Sequence, residues 1–147
     1  MKMSDQDEYL KLDNQVCFAL YSASNAMGRA YQPLLKALDL TYLQYIVMMV
    51  LWEQEEVNVK TLGEKTHLDS GTLTPLLKRL EAKDYVRRTR SKEDERVRVI
   101  TLTPAGVDLK QQAQQVPVEM FCLSKMDEQE LTLLKKQCEQ LLVNLQS

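Results

Sequence analysis

Histidine and tryptophan each occur once in this chain of 147 residues, phenylalanine twice, cysteine three times, and glycine and proline four times each. Each scarcity excludes something. His67 has no cluster of cysteine, histidine or carboxylate with it, so it reads as a turn residue and no metal ligand is expected. Cys17, Cys122 and Cys138 are odd in number, widely spaced and without a CxxC pair, which argues against a zinc site and against a secreted disulfide framework. In a reducing cytosol a cysteine serves either packing or chemistry. Few glycines and prolines, set against many Leu, Gln, Lys, Glu and Ala, favour helices over strands. No uninterrupted apolar run is long enough to cross a membrane, and the opening stretch Met1 to Glu8 is too acidic for a signal peptide, so a cytoplasmic protein without a membrane partner is expected. No repeat, low-complexity tract or linker is visible, and the length suits one domain, residues 1–147, with a real core. No constellation of nucleophile, base and oxyanion donors is present, so neither an enzyme nor a cofactor is indicated.

What is present is organised around residues 59–103. A short amphipathic segment, Val59 to Thr66, passes through Leu68-Asp-Ser-Gly71 into a second one, Thr72 to Glu81. Two alternating, β-branched runs follow, Tyr85 to Arg90 and Arg96 to Leu102, joined by the charged tip Ser91 to Glu95, a hairpin pattern. Helix, tight turn, helix and hairpin together predict a winged helix-turn-helix, whose second helix suits a DNA major groove. Charge agrees. Lys78 to Arg98 carries a net +4 whereas the whole chain is formally −2, so positive charge is concentrated where a phosphate backbone would lie. A charged hairpin tip can also be a solvated edge; its attachment to a helix-turn-helix favours the DNA reading.

The flanking segments read as helices. Leu12, Val16, Ala19, Leu20, Ala23, Met27, Ala30 and Leu34 recur at helical intervals from about Leu10 to Leu38, with Pro33 expected to kink or split the helix. Its apolar stripe outruns what a small domain can cover, which predicts a second subunit. Thr41 can cap a largely apolar helix from Tyr42 to about Glu53, the expected buried spine. Asn58 caps the next helix, and Asp69, Ser70 or Thr72 the recognition helix. Pro75, tolerated in a first turn, places the regular start of that helix near Gly71-Thr72, leaving Ser70, Thr72 and Thr74 at its exposed end. Thr103-Pro104 is a helix start. That helix runs to about Gln115, where Val116-Pro117 bends or breaks it. A last helix begins near Ser124 or Asp127 and carries Leu131, Leu134, Cys138, Leu141, Leu142 and Leu145 on one stripe. The expected fold is mainly α with a small β-hairpin, with helices at 10–38 and 104–147 forming a homodimer that would bind a palindromic operator in double-stranded DNA.

Cys17 lies among apolar residues one turn before Tyr21, a setting in which a cysteine is ordinarily a small hydrophobe. No Lys or Arg lies within a turn to hold a thiolate, and Asp13 opposes one. The run Leu12-Asp-Asn-Gln-Val-Cys-Phe-Ala-Leu-Tyr21, with Tyr31 to Leu35, Leu40 to Tyr45, Leu68 to Glu81 and Arg88 to Arg96, resembles the organic-hydroperoxide-sensing (OhrR) branch of the MarR repressors. The likeness extends over nearly the whole chain and is weakest in its first ten and last thirty residues.

The resemblance implies that Cys17 is a peroxide sensor on which Tyr21, Tyr31 and Tyr42 converge, and that Cys122 of the other subunit is its disulfide partner. Family members without a second cysteine use small thiols. It also implies DNA contacts from Ser70, Thr72, Thr74 and Arg79 of the recognition helix and from Arg88, Arg90, Asp94 and Arg96 of the wing, Arg96 in the minor groove and Asp94 orienting it. Arg79 has the alternative of pairing with Glu81 or the hairpin. Cys138 reads as core. The expected function is a repressor that leaves its operator when organic hydroperoxide oxidises Cys17. The competing readings are a MarR-type sensor of a non-covalent aromatic effector and a thiol peroxidase.

Overall fold

The computed structural model describes residues 5–147 and is mainly helical, with one small antiparallel sheet. Met1 to Ser4, part of the acidic opening stretch, lie outside the described residues. A short helix α1 (Asp5–Tyr9) and one 3-10 turn (Leu12–Asn14) lead into α2 (Val16–Lys36), so the long helix starts at Val16 and not near Leu10. Side-chain amides hold this entry: Asn14 Nδ2 donates to the Glu8 carbonyl at 2.8 Å, and Gln15 Nε2 donates to that of Tyr9. Pro33 does not split α2. It falls in the last turn at an exposed position, where the one forfeited bond, to the Arg29 carbonyl, lies at solvent.

Thr41 starts α3 (Tyr42–Gln54) with a capping box: its hydroxyl accepts from the Gln44 amide, and the Gln44 side chain accepts from the Thr41 amide. This helix is the spine. Tyr45, Val47, Met48 and Leu51 are buried along it, and full burial of a side chain such as Leu51 contributes about 2 kcal/mol. Leu62 of α4 (Val59–Thr66), Leu73, Leu77 and Leu80 of α5 (Ser70–Ala82), and Val86 and Ile100 of the sheet close around it.

The sheet has a strand that sequence pattern did not indicate. Besides β2 (Val86–Arg90) and β3 (Arg98–Leu102), the short β1 (Glu56–Asn58) pairs antiparallel with β3, giving the order β1-β3-β2. Three residues are too few to display alternation, and only Val57 faces the core. In the hairpin Val86 stands opposite Leu102 and Arg90 opposite Arg98.

Thr103 caps α6 (Pro104–Ala113), accepting from the Gly106 amide at 3.0 Å, with Pro104 in the first turn. Gly106 has no room for a side chain: a Cβ there would lie 2.1 Å from the Tyr85 carbonyl oxygen, and the Gly106 carbonyl accepts from Trp52 Nε1 at 2.9 Å. The break between α6 and α7 (Gln115–Ser124) falls at Gln114, which leaves Pro117 in the first turn of α7, where its missing N–H costs little. Asp127 and Glu130 form a second capping box for α8 (Glu128–Gln146). No residue of α8 is buried, and only Leu35 of α2 is. Cys138, read from its stripe as core, is exposed, because nothing in its own chain covers that helix. Among the described residues no helix is long and apolar enough to cross a membrane.

Candidate functional site

The recognition helix starts one residue earlier than Pro75 suggests. Asp69 is the cap, its Oδ1 accepting from the Thr72 amide at 2.8 Å, and Ser70 is the first helical residue. Pro75 therefore sits beyond the first turn. The donor it lacks would have served the carbonyl of Gly71, an exposed residue, so solvent can take its place. Asn58 caps α4 by accepting from the Thr61 amide at 2.7 Å, and His67 turns the chain between α4 and α5 in the left-handed conformation (φ 58°). Leu73, Leu76, Leu77 and Leu80 bury one face of α5. Ser70, Thr72, Thr74, Lys78 and Arg79 are exposed, the hydroxyls grouped at the helix N-terminus, where free N–H groups and the positive dipole end favour anions.

The wing divides its arginines between two tasks. Arg88 is not free: its Nη2 and Nε reach Glu81 Oε1 at 3.0 and 3.2 Å, and its backbone N–H donates to Glu81 Oε2 at 3.2 Å. That contact holds the hairpin on α5, and its hydrogen bonds hold the Glu81 carboxyl below the usual range. Arg79 is exposed and lies only two positions before Glu81 on the same helix, a spacing at which side chains do not face each other. At the tip, Arg96 donates to Asp94 from its amide (3.0 Å) and from Nε (3.2 Å), which lowers the Asp94 pKa, yet the Arg96 side chain remains 90% exposed. Arg90 is exposed and faces Arg98 directly across the strands. Arg98 was not among the residues singled out from sequence; the strand register is what reveals it, a second exposed cation opposite Arg90 whose charge also helps to lower the Glu81 pKa.

The three cysteines are exposed and unbridged. Tyr31 and Tyr42 pack with ring centroids 4.7 Å apart, and Tyr45, also missed from sequence although it is one turn beyond Tyr42, lies 5.9 Å from Tyr31. Burial, then the neighbouring Tyr42 and Tyr45, push the Tyr31 hydroxyl above its ordinary pKa, so it stays a neutral O–H donor. Cys17 and Tyr21 are not part of this cluster. They share α2 with Tyr31, and at 1.5 Å per residue Cys17 is about 21 Å along the axis from it. Tyr21 is 65% exposed, and Val16 and Phe18 beside Cys17 are exposed as well. A cleft of about 670 Å³ opens between α2 and the start of α3, lined by Arg29, Tyr31, Lys36, Tyr42 and Lys83 among others. Among the described residues no group of His, Cys, Asp or Glu is arranged to hold a metal.

A turn-linked helix pair with a free, hydroxyl-bearing N-terminus and an arginine hairpin beside it defines a winged-helix DNA-binding regulator. Residues 29–113 match the family described as the transcriptional regulator SarA/Rot. The organic hydroperoxide resistance transcriptional regulator of Bacillus subtilis (strain 168) is 45% identical over 143 residues, 97% of each chain. Among solved structures, reduced AbfR bound to DNA superposes with a TM-score of 0.80 at 33% identity, covering 97% of this chain and 99% of that one. The disulfide-formed AbfR gives 0.64 at 36% identity, covering 93% and 96%; a further structure assigns AbfR to Staphylococcus epidermidis. The chain belongs to the MarR/SarA family of transcriptional regulators, in the organic-hydroperoxide-regulator branch. Its relatives and its fold are those of DNA-binding regulators and not of enzymes.

Proposed function

We propose that this chain forms a homodimeric repressor that holds a palindromic operator while Cys17 is reduced and releases it once an organic hydroperoxide oxidises Cys17. The observation that carries this reading is the separation of Cys17 from Tyr31 and Tyr42. An exposed thiol at the exposed start of α2, about 21 Å along the helix axis from Tyr31, has its complement in a second copy. The exposed apolar faces of α2 and α8 supply the contact, and the cleft beside Tyr31 and Tyr42 supplies the receiving surface. Neutral phenolic O–H groups there would donate to the partner's sulfur, with Tyr21 one turn from Cys17 completing the set.

The chemistry balances in two steps. The Cys17 thiolate attacks the O–O bond; that bond breaks, an S–O bond forms, and the leaving alkoxide takes a proton to become an alcohol, leaving sulfenic acid on sulfur. The thiol of Cys122 in the other subunit then attacks this sulfur, forming the disulfide and releasing water. Cys122 is exposed near the end of α7, one residue from the exposed Phe121 and Leu123. The Bacillus subtilis relative is named for organic hydroperoxide resistance, and AbfR has been solved in both reduced, DNA-bound and disulfide forms; both support the reading. On DNA, Ser70, Thr72, Thr74 and Arg79 enter the major groove, Arg96, oriented by Asp94, reaches the minor groove, and Arg90 with Arg98 grips phosphate. Arg88 acts indirectly by holding the wing to Glu81.

The cleft also favours a second reading, in which a small aromatic effector binds there non-covalently and Cys17 only packs. Operator release, followed by fluorescence anisotropy at fixed salt during titration with cumene hydroperoxide, separates the two. Wild type should release DNA and run as a crosslinked dimer on non-reducing gels, while Cys17→Ser does neither; Cys122→Ser reports whether the second cysteine or a small thiol resolves the sulfenic acid. Release from Cys17→Ser equal to that from wild type would transfer the function to the effector cleft. A monomer by light scattering at micromolar concentration would remove the dimer.

A further inference from the structure

Lys83 is the last-turn cap of the recognition helix, its amide bonded to the Arg79 carbonyl at 3.1 Å. Its side chain does not enter the positive field facing DNA. It reaches back to the turn between α2 and α3, where Nζ donates to the Asp39 carbonyl at 2.6 Å and to Gln44 Oε1 at 2.9 Å, with the Asp39 carboxylate 3.6 Å away. Gln44 is 3% exposed, and the same oxygen accepts from the Thr41 amide in the capping box that begins α3. Tyr42 is the first residue of that helix, held between the two members of the box and packed on Tyr31. Tyr85, just past α5, adds a parallel tie, its hydroxyl donating to the Leu38 carbonyl at 3.0 Å.

We infer that Lys83 is the positioning residue that couples the Tyr31–Tyr42 cluster to the recognition helix, carrying a displacement of Tyr42 through Gln44 and Asp39 to the C-terminal end of α5. This rests on the redox reading above. Three partners converge on one ammonium, and two of them belong to the turn that places Tyr42. The turn is also held in a specific shape, since Asp39 takes the left-handed conformation (φ 54°) and Asp84, on the other side of the contact, does the same (φ 64°). α5 is a lever. Its thirteen residues span about 20 Å, so a tilt of about 10° at the Lys83 end moves Ser70 and Thr72 by about 3 Å, the length of a hydrogen bond. A small change at Tyr42 thereby suffices to misplace the DNA-contacting hydroxyls.

The test uses the full dimer and three readouts: Cys17 oxidation by mass spectrometry, operator affinity when reduced, and operator affinity after cumene hydroperoxide. Compared at equal extents of Cys17 oxidation, since Lys83 also lines the cleft, Lys83→Met should bind operator within about threefold of wild type when reduced, while its ratio of reduced to oxidised affinity falls at least tenfold, roughly the range of ordinary coupling between sites. Lys83→Arg, which keeps the cation, should restore most of the ratio. A Lys83→Met ratio equal to that of wild type overturns the coupling while leaving Cys17 as sensor; absence of release in wild type removes the sensor itself. Hydrogen exchange on wild type decides independently if the variant misfolds. Oxidation should change protection at 38–44 and at 79–85 together, and a change confined to 38–44 overturns the coupling.

Discussion

Tyr31 and Tyr42 lie 4.7 Å apart, ring to ring, while Cys17 begins the helix on which Tyr31 is near the end. In one chain the thiol cannot meet these rings, so the sensor proposed above requires a second chain. On the proposed arrangement Tyr31→Phe removes a donor to a charged sulfur and should slow Cys17 oxidation by roughly tenfold. Mixed dimers give the sharper result. When Cys17→Ser chains are paired with chains carrying Tyr31→Phe and Tyr42→Phe, the remaining Cys17 faces unaltered tyrosines across the interface and should oxidise at the wild-type rate in stopped reactions read by mass spectrometry. A slow rate in the mixed dimer would place the tyrosines and the thiol in the same chain.

The wing arginines should separate cleanly. Arg96 protrudes into solvent and contributes nothing to packing, so Arg96→Ala should weaken operator binding by about tenfold or more at physiological salt with an unchanged melting temperature. Arg88→Ala should lower the melting temperature as well, because it detaches β2 from Glu81. Anisotropy and thermal melts on the two variants check both statements.

A pH dependence follows from the same contact. Arg88 lowers the Glu81 pKa in the folded protein, so the pair stabilises the fold above the ordinary carboxylate value of 4.5 and that stabilisation is lost as pH falls through the lowered value. Both side chains are partly open to solvent, which limits the contribution to about 1 kcal/mol or less. Glu81→Gln should therefore melt below wild type by at most about 4 °C at any pH from 5.5 to 8. The gap should close in acid, and a gap that widens there would contradict the assignment.

Gly106→Ala drives a methyl group into the Tyr85 carbonyl and disturbs the carbonyl that receives Trp52. Overpacking against backbone with no flexible side chain to yield should cost about 3 kcal/mol. Denaturant melts followed by Trp52 fluorescence measure it, and a loss under about 1 kcal/mol would mean that α6 shifts to make room.

What could be read from sequence was local. Thr41, Asn58 and Thr103 cap the helices they were expected to cap because a cap involves only the next three residues, and the Tyr42 helix is the buried spine because it is apolar on nearly all sides. Pro75 misled because an exposed helix tolerates one missing bond where Asp69 already fixes its start. β1 was too short to alternate. The partner of Arg88 was hidden because α5 and β2 meet only in the folded chain, whereas the distance between Cys17 and Tyr31 needed only the helical rise. Lys83 could not be recognised at all: in sequence it is one more lysine of a basic stretch, and its partners lie about forty residues earlier.

The last helix has a consequence for how the protein is made. α8 has nineteen residues and buries none of them in its own chain, and a helix of that length gains little from propensity alone. Joined to a second copy as proposed, it completes its fold only at that meeting, so folding is bimolecular and the melting temperature rises with chain concentration. The supply of that proposed dimer then grows as the square of chain number while dimers are scarce. On that reading a modest fall in synthesis would empty operators with every cysteine still reduced.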